Sequence, residues 1–308
     1  MRTGRNRIGT FFVLAVAFAM LAAACGGEAA ETTTTAAETT TTEAATPTTE
    51  LAACTVDNLN LVTPGTLTIA TGDPSFPPWV TDADGGFNDD PTAKTGFEAA
   101  LAYEIAAYLG FSDDQVEWVR TGFDEAIVAG PKDWDFNMQQ YSITAARDEV
   151  VDFSVPYYVT SQALLVLNGS PYQNATTLEE LKDAKLGAAI GTTSVAFIEN
   201  VIQPTTPPNV YDENFDVVSA MNAGQIEGIV VDLGTAFYLS GSGDVPDSVV
   251  AASFEAEAAD EYGLLFADGN PLVECVNEAI NALWADGTID GLIADWLQDA
   301  AGVPVISE

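Results

Sequence analysis

Short apolar runs rich in β-branched residues alternate with longer runs of helical spacing from residue 67 to residue 298, and this alternation constrains the fold most. The strand-like runs fall at 67–70, 116–119, 134–138, 163–167, 186–190, 226–231 and 263–267. Between them the spacing predicts helices at 96–109, 123–129, 217–223, 234–239, 271–285 and 288–298, with another opening near Thr193. Thr177 and Glu180 stand at capping-box spacing, so a helix is also expected from there to Ala184. A strand that reaches its neighbour through a helix leaves that helix on the face of the sheet. The expected fold class is therefore α/β, with parallel-dominated sheets flanked by helices. In the first helix the buried face is read as Phe97, Leu101, Ile105 and the pair Tyr108 and Leu109. The 308 residues suffice for one large or two medium domains, and they show no repeat of fixed period.

The N-terminus belongs to a different kind of segment. Arg2, Arg5 and Arg7 precede the apolar run 11–24, so residues 1–24 read as a secretory signal and not as a membrane span. Leu21-Ala22-Ala23-Ala24-Cys25 resembles a bacterial lipobox, which makes Cys25 the expected lipidation site. Ala22 stands where that pattern usually has leucine, and ordinary signal cleavage before Cys25 is the alternative. Residues 26–50 are mostly Thr, Ala and Glu, and burial there cannot offset the entropy of ordering. Residues 25–54 are thus expected to be a disordered, lipid-anchored tether. In an exported chain the remaining cysteines, Cys54 and Cys275, are expected to pair, the alternative being two buried thiols.

The formal charge is −37, and without the three leader arginines six basic residues face 46 acidic ones. Nucleic acid and anionic lipid both require a cationic footprint, so the folded part is not expected to bind either. The acidity itself names no ligand and is read first as a solubility device. The acidic loop 82–91 lacks the spacing and the closing glutamate of a calcium loop, so no metal is expected there and no cofactor elsewhere.

Residues 138–158, MQQYSITAARDEVVDFSVPYY, hold one cation in an acidic chain, Arg147. A guanidinium offers a planar fork that matches a carboxylate with two parallel hydrogen bonds. The plain alternative is a surface ion pair with Asp148 or Asp152. The pattern S-I-T-x-x-R-x-x-x-V-D-F-S-x-P-Y-Y over 142–158 resembles the core signature of the polar amino-acid-binding proteins of ABC importers, solute-binding family three. Further segments are similar to that family: G-T-L-T-I-A-T-G-D-P-S-F-P-P-W at 65–79, L-G-A-A-I-G-T-T-S at 186–194, G-Q-I-E-G-I-V-V-D at 224–232 and A-D-G-T-I-D-G-L-I-A-D-W at 285–296. The family's first helix usually opens G-F-D-x-D, whereas Gly96-Phe97-Glu98-Ala99-Ala100 stands here. The lost acid is expected to bear on packing or hinge contacts more than on ligand capture.

The resemblance implies a two-lobed periplasmic-binding-protein fold of type II, with the ligand in the cleft between lobes. Lobe 1 is expected at 55–160 and 267–308 and lobe 2 at 161–266, joined by crossovers near Thr160 and 262–267. It implies an extracytoplasmic monomer, anchored to the cell membrane through its N-terminal lipid only. This monomer captures a free polar or basic amino acid and delivers it to the transmembrane subunits of an ABC permease. A free amino acid carries a carboxylate and an ammonium that must both be matched on leaving water. Arg147 is assigned the carboxylate, assisted by Ser142 of the same segment and by Thr193 and Ser194 at a helix start. Asp232, at the end of a strand, is assigned the ammonium, with a helix cap as a compatible role. Thr193 and Ser194 have the same capping alternative. Phe76 and Trp79 are candidate aromatic walls or plain core. Gln140 adds hydrogen-bonding capacity, and Asp73 is the resemblance's hint of a basic side chain. Two other functions compete: a dehydratase of arogenate-like acids on the same fold, and a ligand-sensing ectodomain. The chain has no histidine and no evident catalytic pair, which weighs against an enzyme.

Overall fold

In a computed structural model the described residues are 54–82, 84, 89–255, 260–297 and 302–307. The expected signal at 1–24, the lipidation site Cys25 and the tether up to residue 53 lie outside them. The strand-like runs assemble into two sheets. The first runs Val116–Arg120, Leu67–Thr71, Phe136–Asn137, Leu265–Ala267, Val151–Phe153 from edge to edge. The second runs Val305–Ser307, Ser248–Glu255, Gln162–Leu167, Gly228–Asp232, Leu186–Ala189, Asn209–Tyr211. Tyr158–Thr160 and Asp260–Tyr262 pair antiparallel as a separate ribbon, which carries the chain from one sheet to the other and back.

Both sheets are mixed. Leu67–Thr71 is parallel to both its neighbours, as is Leu186–Ala189 in the second sheet. The strands that follow the ribbon, Gln162–Leu167 and Leu265–Ala267, run against theirs. No helix intervenes between ribbon and strand at these points, so the right-handed crossover that enforces parallel pairing does not apply.

The second sheet is covered on both faces. Along Gln162–Leu167, Ala163 and Leu165 pack into one cluster and Leu164 and Val166 into another, the period of two that a strand imposes. In the first lobe the helix Phe97–Tyr108 packs within the main cluster, where burying Phe97, Leu101 and Ile105 stabilises by about 1.5–3 kcal/mol each. Its face is completed by Leu109; Tyr108 is exposed, and its hydroxyl points to Glu278. The helix starts where it does because Gly96, at φ +96°, lets its backbone press on the preceding loop. A Cβ there would lie 2.5 Å from the Trp79 carbonyl oxygen. That carbonyl accepts from the amides of Glu98 and Ala99, which fixes where the Glu98 side chain enters the lobe.

Cys54 and Cys275 are disulfide-bonded, with Cα atoms 5.4 Å apart, and both pack on the first lobe's core. One lobe boundary differs from expectation. Val305–Ser307 pairs parallel with Ser253–Glu255, so residues 302–307 lie with the second lobe and not with lobe 1. Their apolar Ile306 is buried in the second lobe's core, which holds this three-residue strand there. Leu265–Ala267 belongs to the first sheet, which moves the return into lobe 1 ahead of residue 267.

Candidate functional site

A cavity of about 90 Å³ lies between the lobes. The first lobe contributes the loop after its strand Leu67–Thr71, with Gly72, Pro74, Ser75 and Phe76, then the turn at Gln139, Gln140 and Ser142, and Arg147. The second contributes the loop from Ala189 to Ser194, the turn 212–215 and the strand end Val231-Asp232. Gln162 and Tyr262 close the side next to the ribbon.

Arg147 sits in the short helix Ala145–Asp148, which Thr144 caps by accepting from the Arg147 amide. It is buried, and among the described residues it forms no salt bridge, so the surface-pair alternative with Asp148 or Asp152 does not hold. Its Nη1 donates to the Ser142 carbonyl at 2.7 Å and its Nη2 to the Gly191 carbonyl of the opposite lobe at 2.9 Å. The guanidinium carbon lies 5.4 Å from the Phe123 ring centroid, an aromatic floor for the cation. Burial pulls its pKa down, and the nearby Tyr141 and Asp260 oppose that shift. A guanidinium has five N–H donors, so two carbonyl bonds leave others for an anion in the cleft. Gly191 has φ +72°, and a Cβ on it would lie 1.7 Å from Asp124 Oδ1 of the first lobe. Only glycine lets the two loops meet there.

Thr193 and Ser194 do not cap their own helix. Thr192 is the residue at the cap position, and neither following hydroxyl turns back to the helix. Ser194 Oγ donates to Gln162 Oε1 at 2.7 Å, while the Gln162 amide donates to Thr193 Oγ1 at 3.2 Å and to Asp260 Oδ2 at 2.5 Å. Thr193 Oγ1 also lies 3.4 Å from Ser142 Oγ of the first lobe. Hydroxyls from the two lobes thus converge beside Arg147.

Asp232 ends the strand Gly228–Asp232 and begins the helix Leu233–Ser242, whose Thr235 amide donates to Asp232 Oδ1 at 2.8 Å. Capping and cleft lining coexist in this residue. Burial raises its pKa to about 6, opposed by the Thr235 hydrogen bonds and assisted by Asp260. A cation placed beside it would recover the ionised form.

Two of the expected site residues lie elsewhere. Trp79 does not line the cavity: it is fully buried, its ring packs on Phe97, Tyr158 and Tyr262, and its indole N–H donates to Thr235 Oγ1 at 3.0 Å. Asp73 is exposed and outside the lining. Phe76 does line the cavity and meets Phe215 and Tyr238 edge-on at 5.0 and 5.7 Å between centroids. Gln140 lines it too, although its amide is bound by Glu98. Glu98 is completely buried, and burial lifts its pKa to about 7 against the hydrogen bonds from Tyr157 and Gln140.

Sequence reading missed Gln162, Tyr262, Phe215 and the acids Asp212 and Glu213 of the cavity lining. Gln162 carried a faint signal, a polar residue opening the apolar strand QALLVL. Asp212 and Glu213 carry none, since a turn of ordinary polar residues looks the same whether or not another lobe faces it.

Residues 67–299 match the model of the family described as "Bacterial extracellular solute-binding proteins, family 3". The chain is 27% identical over 234 residues to the L-cystine-binding protein TcyJ of Escherichia coli K12, covering 75% of this chain and 82% of that one. It is 30% identical over 219 residues to the glutamate-binding protein GluB of Corynebacterium glutamicum, covering 68% and 73%. Among solved structures it is similar to an ancestral arginine-binding protein bound to arginine, with a TM-score of 0.63 and 27% identity, covering 76% of this chain and 99% of that one.

Proposed function

Because this chain belongs to family 3 of the bacterial extracellular solute-binding proteins, we propose that it captures a free amino acid between its lobes and delivers it to an ABC permease. The observation that carries this reading is that Arg147 of the first lobe and Asp232 of the second are both buried and line one cavity. A carboxylate has its fork on one side and an ammonium its acceptor on the other, so the ligand favours the arrangement in which the lobes meet. Charge-assisted hydrogen bonds of about 1.5–3 kcal/mol each support micromolar capture, about −8 kcal/mol. The relatives named above bind cystine, glutamate and arginine, so family membership leaves the side chain open.

The side chain we assign is polar or basic. Asp212 and Glu213 line the cavity, and the pKa of Glu213 is raised by burial first and then by Asp216, Asp124, Asp212 and Asp73. A cationic head would relieve that repulsion. The protein acts outside the cytoplasm as a monomer, held to the membrane by a lipid on Cys25, which the lipobox-like sequence supports. It works as a binding protein and not as a dehydratase or a sensor.

A thermal-shift screen of residues 51–308 against the standard amino acids, cystine and an arogenate-like acid tests the reading. A shift with a few polar or basic amino acids that disappears in Arg147→Ala is expected. No shift with any amino acid, or turnover of the arogenate-like acid, would overturn it.

A further inference from the structure

We propose that Glu98 is a positioning residue of the cleft, holding Gln140 and through it the turn that aims Arg147. For its binding readout the proposal rests on the amino-acid reading above. Glu98 lies in the first turn of the helix Phe97–Tyr108, wholly inside the first lobe. Among the described residues no lysine or arginine forms a salt bridge with it. Its partners are instead three neutral donors. Oε1 accepts from the Gln140 backbone N–H at 2.9 Å and from the Tyr157 hydroxyl, and Oε2 accepts from the Gln140 side-chain amide.

Gln140 needs such a partner. Its φ is +52°, in the left-handed region that a non-glycine residue keeps only when its surroundings impose it. The ribbon fixes the far side of the same turn: Gly263 N donates to the Tyr141 carbonyl at 3.0 Å, and Ile143 N to the Glu261 carbonyl at 2.8 Å. Glu98 fixes the near side. Between these two anchors the Ser142 carbonyl is presented to Arg147 Nη1 at 2.7 Å. The path from Glu98 to the guanidinium therefore runs through Gln140, which lines the cavity, and Ser142.

An ionised carboxylate accepts from all three donors at once. A protonated one is uncharged and accepts more weakly, so the bonds from Gln140 loosen. The titratable groups around Glu98 are Tyr157, Tyr141, Tyr262 and Asp232. Burial raises all three tyrosines well above their ordinary value, so they stay neutral as Glu98 titrates. Asp232 adds to the rise at Glu98 through its charge, and Glu98→Gln leaves the step that belongs to Asp232 alone.

The test follows the Gln140 backbone amide by NMR in the full chain, from about pH 5 to about pH 9. Alongside it, affinity is measured over the same range for L-arginine, L-glutamine, L-glutamate and L-cystine. In the wild type the amide should shift with a midpoint near 7, and affinity should rise through the same step. Glu98→Gln should abolish the amide step, weaken binding about tenfold at high pH and leave only the Asp232 step. If Glu98→Gln does not fold, Glu98→Asp serves: one methylene shorter, it cannot reach both Gln140 and Tyr157, and affinity should fall severalfold. An amide that does not titrate overturns the proposal, as does either variant with wild-type affinity and pH profile. Should the wild type bind none of the four probes while the amide titrates, the amino-acid reading fails and the positioning of Gln140 by Glu98 stands.

Discussion

The indole N–H of Trp79, in the first lobe, donates to Thr235 Oγ1 of the second at 3.0 Å, and the Thr235 amide in turn donates to Asp232 Oδ1. A buried contact between lobes is thereby tied to the acid assigned to the ligand's ammonium. Trp79→Phe removes the donor and leaves a smaller ring against Phe97, Tyr158 and Tyr262. Ligand affinity should fall by about 0.5–1.5 kcal/mol, and thermal stability should fall too because a smaller ring fills a fully buried site. Isothermal titration of the variant checks this, and Thr235→Val should show the same loss without adding to it.

Arg147→Ala removes both the carboxylate fork and the bond to the Gly191 carbonyl that joins the lobes. Binding should weaken by about 2–5 kcal/mol. Circular dichroism should still show a folded protein, because Arg147 lines the cleft and is not a member of the buried apolar clusters. Arg147→Lys should recover little, since an ammonium cannot reproduce two parallel bonds.

Stability of the ligand-free protein should fall as pH rises from about 4 to about 8. Asp232 and Glu98 have folded pKa values of about 6 and about 7, above their ordinary 3.8 and 4.5. Across that window the native state binds more protons than the unfolded chain, so each unit of pH costs stability. The cost reaches roughly 3 kcal/mol for each group at most. Asp232→Asn keeps a helix cap, so it should remove part of this slope while abolishing capture of an ammonium-bearing ligand. Thermal melts over the pH series decide it, and a flat profile in the wild type would contradict the burial argument.

Reducing the bond between Cys54 and Cys275, which are 221 positions apart, should lower stability by about 2–5 kcal/mol. Affinity should stay the same, because both cysteines pack on the first lobe's core and the ribbon is free of the cross-link. Calorimetry and titration with and without reductant separate the two effects.

Much of the fold was legible locally. The apolar runs at 67–70, 116–119 and 226–231 form strands because side-chain period and β-branching act within a few residues. The helix over Phe97–Tyr108 and the pair Leu272–Ala285 and Thr288–Trp296 follow in the same way. The strand Ser248–Glu255 went unread because SVVAASFE has a weak period, and Val305–Ser307 because three residues carry none.

The site divides along the same line. The motif around Arg147 is contiguous, so its chemistry is visible in one stretch of chain. By itself, the sequence determined an α/β protein with a lone cation in its central motif and two cysteines able to pair. Only the tertiary structure decided that Trp79 is a contact between lobes, that Asp73 faces solvent, and that Glu98 holds Gln140 from 42 positions away. Those outcomes depend on which surfaces two separate sheets present to each other. Residues distant in sequence settle that together, and no single segment encodes it.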